Sequence, residues 1–195
     1  MGKLTFRNFL AGNHYHVIIR GNNQQEIFLN DSDRRRLVLR LEEYSGKYNI
    51  KILCYALMPN HVHLLLRQDG EISISKFMQA INTGYTMYFN LKHNRSGHLF
   101  QGRFHSTLVD SDEYLIQLSR YIHLNPIKAG LTKRIDGYPW SSYLEYVGRR
   151  QTTFVETDFI LSYFSKKNRQ QDYKTFVKAG SYGETSEELQ PYTLE

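Results

Sequence analysis

The stretch IKILCYALMPNHVHLLL, residues 50–66, decides how the chain folds. Residues 50–58 are almost continuously apolar and read as a strand. Pro59 and Asn60 interrupt it, and HVHLLL returns as the next strand of a hairpin. Side chains alternate along a strand, so His61 and His63 share one face while Val62, Leu64 and Leu66 point the other way, into a core against a helix. Two imidazoles one residue apart on one face can chelate a single divalent ion. The plain alternative is a pair of solvated histidines on an exposed sheet face.

Working outward, HYHVIIR (14–20) is a first strand, and GNNQQEIF (21–28) is a polar loop. Asp31 then reads as a helix N-cap, with Leu37, Leu41 and Tyr44 on the apolar side of the helix that follows. Its first turn carries Arg34, Arg35 and Arg36, which oppose the helix dipole. They read as a solvated face, or as a contact to phosphate. Residues 73–94 have the spacing of an amphipathic helix, and 103–109 form a short fourth strand. Asp110 or Ser111 caps a further helix that stops at Pro126 and Gly130. The order β-α-β-β-α-β-α is that of a ferredoxin-like α+β sandwich, with an antiparallel sheet, helices on one face and one added helix. Residues 1–150 form the main domain on this reading. Residues 151–195 are a helical extension, with helices near 156–165 and 168–179 and an acidic, frayed tail.

With 195 residues, the chain suits one domain plus an extension. No apolar run approaches the roughly 18–20 residues of a membrane span, and the N-terminus lacks a signal-peptide core. A cytoplasmic protein is expected. Cys54 is the only cysteine, which excludes internal disulfides and cysteine-rich zinc sites. The net charge of +6 favours a polyanionic partner.

On the helix containing QLSRYIHLNP (117–126), Gln117, Tyr121 and Asn125 share a face. Leu115, Leu118 and Ile122 form a separate packing stripe, which leaves Tyr121 on the polar side. The Asn125 amide oxygen lies one turn on and suits Mg²⁺ or Mn²⁺. Tyr114, seven residues before Tyr121, lies on nearly the same face. Geometry alone does not separate the two tyrosines. Residues 88–105 hold Lys92, Arg95 and Arg103 among histidines and aromatics, with no acid. Cations there can track phosphates while aromatics stack on bases. Lys92, Arg95, His98, Phe100, Gln101 and Arg103 are the candidate nucleic-acid contacts, although Phe100 and Gln101 could equally pack the loop down. His93, His98, His105 and His123 read as structural or phosphate-contacting groups.

MPNHVHLLL, GYTMYFNLKHNRSGHLFQGRFHS and DEYLIQLSRYIHLNPIKAGL together resemble the REP-associated tyrosine transposases, within the HUH single-strand nucleases. The resemblance spans roughly residues 13–146. It implies a single catalytic tyrosine, Tyr121, beside a divalent metal held by His61, His63 and Asn125. Asn125 stands where insertion-sequence relatives carry glutamine, one methylene shorter. The implied activity is nicking and joining of single-stranded hairpin or palindromic DNA through a 5′-phosphotyrosine, by a monomer or a homodimer. The alternative is a non-cleaving module that binds structured nucleic acid. A replication initiator or relaxase of the same group is a third reading, usually found in a larger chain.

Overall fold

The computed structural model describes residues 9–180 of the chain. Four strands, β1 (His14–Arg20), β2 (Ile50–Met58), β3 (His61–Gln68) and β4 (His105–Val109), pair in the order β2-β3-β1-β4. Every pairing is antiparallel. This is the ferredoxin-like strand order expected from the sequence, but helices cover both faces of the sheet rather than one, because β2 and β3 are apolar on both sides. The expected tail, residues 181–195, lies outside the described residues.

Period-two alternation divides the sheet into two cores. On one face, Val17, Ile19, Val62, Leu64 and Leu66 pack against α1 (Asp31–Tyr48) and α2 (Ile74–Lys92), through Leu37, Leu41, Phe77, Ile81 and Tyr85. The opposite face carries Leu53, Ala56, Met58 and Leu65. It is covered by α3 (Asp112–Lys128), α4 (Tyr143–Tyr146), α5 (Asp158–Leu161) and α6 (Arg169–Ala179). A bulge between Ile52 and Cys54 shifts the register of β2, so that Leu53 and Cys54 both join the second core while Ile52 and Tyr55 join the first. Each side chain fully buried on either face contributes roughly 1.5–3 kcal/mol.

The helix ends follow local chemistry. α1 is capped by Asn30 rather than Asp31, because Asp33 completes a reciprocal capping box with Asn30. Arg34 is only half exposed. It pairs with Asp31 and lies over the rings of Phe28 and Trp140, so the basic first turn is not simply a solvated face. Ser111 caps α3, which continues through Pro126 to Lys128. α4 is only four residues long, YLEY, too short to show a period.

Residues after α3 seal the open edge of β2. Leu57 N donates to Trp140 O at 2.8 Å, Ser142 N to Tyr55 O at 3.0 Å, and Glu156 N to Ile52 O at 2.9 Å. An otherwise bare row of edge amides is thereby paired within the chain. Behind α3, His123 is 1% exposed and bridges two segments. Its Nδ1 lies 2.7 Å from the Tyr173 hydroxyl and its Nε2 2.8 Å from Ser142 Oγ. Tyr173 donates onward to Ser119 Oγ at 3.1 Å. With that donor spent, His123 Nδ1–H donates to Tyr173 and Nε2 accepts from Ser142, so the ring is neutral.

Burial, with Arg150 adding to it, pulls the His123 pKa down to about 3. The unfolded chain, at about 6.5, binds the proton that the folded chain refuses. Stability should therefore fall as pH drops from about 6.5 towards 3. Denaturant midpoints at stepped pH will measure it. His123→Gln, less stable at pH 7, should lose less than the parent between pH 6.5 and 5.

Candidate active site

The sheet delivers three histidines and a tyrosine to one place. Antiparallel register sets Arg20 of β1 opposite His61, Ile18 opposite His63, and His16 opposite Leu65. His16, Ile18, Arg20, His61 and His63 therefore share the face that α3 covers. The rings of His61 and His63 meet edge to face with centroids 4.8 Å apart. His16 stacks on His63, with its Nε2 3.0 Å from His63 Nδ1. The Tyr121 ring stands perpendicular to both, its centroid 5.7 Å from that of His63 and 6.4 Å from that of His16. All four belong to one chain.

Tyr121 is not on a solvated side of α3. It is 7% exposed and belongs to the second core, because that face of the helix lies on the sheet. Lys128, two turns on, sits over its ring at 5.9 Å. Tyr114 is half buried and joins the same core only at its margin. Asn125 donates its amide nitrogen to the Tyr121 carbonyl at 3.1 Å, which leaves the side-chain oxygen as its remaining acceptor. No hydrogen bond joins Asn125 to either imidazole among the described residues.

Each histidine of the pair is held by Nδ1. Asn60 donates its amide nitrogen to Gln24 O at 3.4 Å, and that fixes its oxygen towards His61 Nδ1, at 2.7 Å. His61 therefore carries its proton on Nδ1, with the Nε2 lone pair open. His16 can accept from His63 Nδ1–H in the same sense. Burial, with a smaller contribution from Arg20, lowers the His61 pKa to about 4. His63 is driven well below its ordinary value by burial first, then by His16, His61 and Arg20. Both rings are neutral at pH 7, the form that binds a metal.

Neutral imidazoles with Nδ1 anchored and Nε2 open fit a divalent cation, and an amide oxygen extends the donor set. Among the described residues, no group of three His, Cys, Asp or Glu side chains is arranged to hold a metal. Two imidazoles and one amide would thus leave positions for water or substrate oxygens, as Mg²⁺ prefers.

The basic loop runs to the same end of the sheet. Gln101 N donates to Arg20 O at 2.8 Å, and Asn22 N to Leu99 O at 2.9 Å. Its candidate residues divide by environment. His98, Gln101 and Arg103 are exposed. Phe100 is buried against Tyr85. Arg95 bonds Gln25 at 2.6 Å and covers Phe89. Lys92 binds Asp33 at 2.6 Å. Burial alone would raise the pKa of Asp33, but hydrogen bonds from Lys92, His93 and the Leu29 amide hold it below the usual carboxylate value.

His16 is the residue that sequence reading missed. Its signal was present in HYH (14–16), which repeats the one-residue spacing of HVH on a strand that must pair nearby.

A four-stranded ferredoxin-like sheet with a His-Val-His strand under a helix-borne tyrosine has the layout of a single-tyrosine transposase domain. The chain belongs to the IS200-like transposase family, whose model matches residues 10–125. It is similar to a Haemophilus influenzae protein assigned as a REP-associated tyrosine transposase, at 23% identity over 149 residues, covering 70% of this chain and 83% of that one. The fold matches a solved REP-associated tyrosine transposase bound to a REP hairpin, with TM-score 0.63 and 16% identity, over 80% of this chain and 98% of the other. Among the described residues, no helix is long and apolar enough to cross a membrane.

Asn60→Ala should release His61 into a mixture of tautomers without unfolding the chain. Long-range proton–nitrogen spectra of the imidazoles will read this out. An unchanged Nδ1–H tautomer would assign the restraint to another group.

Proposed function

We propose that this protein nicks and rejoins single-stranded hairpin DNA, with Tyr121 as nucleophile and a Mg²⁺ or Mn²⁺ ion held by His61, His63 and Asn125. The observation that carries the reading is the perpendicular packing of the Tyr121 ring against His63, in a chain of the IS200-like transposase family. The REP hairpin bound by the solved relative supports a structured single strand as substrate.

A divalent ion bound there would neutralise a nonbridging phosphate oxygen and orient the scissile linkage. The chain supplies the rest. Tyr121 is carried on a helix braced on both sides, which fixes the direction of attack. An unperturbed phenol loses its proton near pH 10, so the hydroxyl must give up that proton on or before attack. Lys128 lies against the ring and adds a positive charge beside the site where the phosphate would sit. The new bond joins the Tyr121 oxygen to phosphorus. The bond to the 3′ oxygen breaks, and that oxygen leaves as a hydroxyl after taking a proton. The phosphotyrosine keeps the phosphodiester energy, so a 3′-hydroxyl can reverse the step and join strands without ATP. His98, Gln101 and Arg103 are exposed on the loop that ends beside Arg20, and would meet the strand there.

Incubation of the full chain with a labelled hairpin oligonucleotide and Mn²⁺ should yield a covalent adduct resolved on a denaturing gel. Tyr121→Phe should give none, and an adduct persisting in that variant would shift the nucleophile to Tyr114. EDTA, His61→Ala and His63→Ala should each abolish cleavage while leaving most of the hairpin affinity intact, because phosphate contacts dominate binding. Tight binding with no adduct under either metal would favour the non-cleaving module. His16→Phe should weaken Mn²⁺ binding by about 10–100-fold in calorimetry, through loss of the partner of His63.

A further inference from the structure

A cavity of about 270 Å³ lies where the C-terminal end of α3 meets α4 and α6, among side chains that the proposed chemistry does not use. Its wall carries Lys133, Arg134, Arg149, Lys174 and Lys178 against one carboxylate, Asp136. We propose that this cavity is a phosphate-binding subsite, separate from the site around Tyr121. It would take either a backbone phosphate of a bound strand or a free phosphate group.

Four observations converge on that chemistry. First, Asp136 acts as a strut and not as an open acid. Arg134 holds it through Nε at 3.0 Å and Nη2 at 2.9 Å, and Arg149 through Nη1 at 2.6 Å. The hydrogen bond from Arg134 comes first among the causes that bring its pKa down to about 2. Both carboxylate oxygens are spent on aiming two guanidinium groups, whose remaining N–H donors suit phosphate oxygens.

Second, Lys133 and Lys174 form no hydrogen bond or ion pair among the described residues, although both line the cavity. Third, Lys174 and Lys178 stand four residues apart on α6. That spacing puts both side chains on one face of the helix, and both line the cavity. Fourth, Tyr143 also lines the cavity. It is 1% exposed, and its hydroxyl is buried with no hydrogen-bond partner. A buried donor left orphaned is costly unless something accepts from it. Burial, reinforced by Asp136, raises its pKa to about 12, so at neutral pH it has a proton to donate.

The cavity falls below the roughly 300–1,000 Å³ of sites for drug-sized ligands. A compact, multiply charged anion matches both its volume and its donors. As a contact for a strand, this proposal rests on the DNA reading given above; as a phosphate site, it does not.

The test uses the full chain and two probes. Inorganic phosphate should raise the melting temperature above that in chloride of equal ionic strength. The double variant Lys133→Gln, Lys174→Gln should lose that rise. Tyr143→Phe should melt no lower than the parent without phosphate, yet gain less from phosphate. In the second arm, hairpin oligonucleotide affinity is measured against salt. Loss of one or two strand contacts should reduce the logarithmic salt slope of the double variant by about 0.7–0.9 per contact. A phosphate effect with an unchanged slope assigns the subsite to free phosphate. If no strand binds at all but phosphate still stabilises the parent, the subsite stands and the DNA reading falls. Absence of both the phosphate effect and the slope change overturns the proposal.

Discussion

A slip of β1 by one residue against β3 would turn His16 into the wrong core, away from His61 and His63 on β3. Because side chains alternate, the register that pairs Ile18 with His63 puts His16 on the same face and within 3.0 Å of its neighbour's Nδ1. The apolar residues of both strands, Val17 and Ile19 with Val62 and Leu64, enforce it from the other face. Moving them to the α3 side would expose α1 and α2 to polar groups, at roughly 1.5–3 kcal/mol for each large side chain. Hydrophobic packing on one side of the sheet thus fixes polar geometry on the other.

Much of this was legible in the sequence because strand periodicity is a local signal. The hairpin of β2 and β3, the shared face of His61 and His63, and the β-α-β-β-α-β-α order all follow from runs of a few residues. The sequence puts Tyr121 on its helix but suggests a solvated side, where the structure buries it. The leucine stripe of α3 suggests one covered side, whereas the chain covers that helix from the sheet and again from α6. Only residues 50 or more positions later, such as Tyr173, reveal the second cover. His16 escaped notice for a related reason. The His-Tyr-His spacing of 14–16 marks a shared face, but nothing local says which of the two histidines strand pairing will set beside His63. In the basic loop, composition could not separate Lys92, tied to Asp33, from the exposed Arg103, since that distinction belongs to tertiary ion pairing.

The electrostatics of the site follow from its construction. His61 and His63 lie beneath α3 and beside Arg20, and both conditions oppose a positive charge on the rings. Asn60 ends the turn that starts β3 and also presents its carbonyl oxygen to His61. The turn that sets the hairpin thereby sets the tautomer of the first histidine. The break at Pro59-Asn60, which the sequence offers as a simple chain reversal, carries a second duty.

The clamp on α3 has a consequence for assembly. An exchange of this helix between two copies would first have to lift it from its own sheet. Here such a trade would tear His123 from both Tyr173 and Ser142, strand Ser119, and open the apolar floor beneath Leu118 and Ile122. The turn after α3 is also stitched to the rim of its own sheet through Trp140 and Ser142. Exchange of this helix between copies would therefore have to break these contacts before any of them could form again.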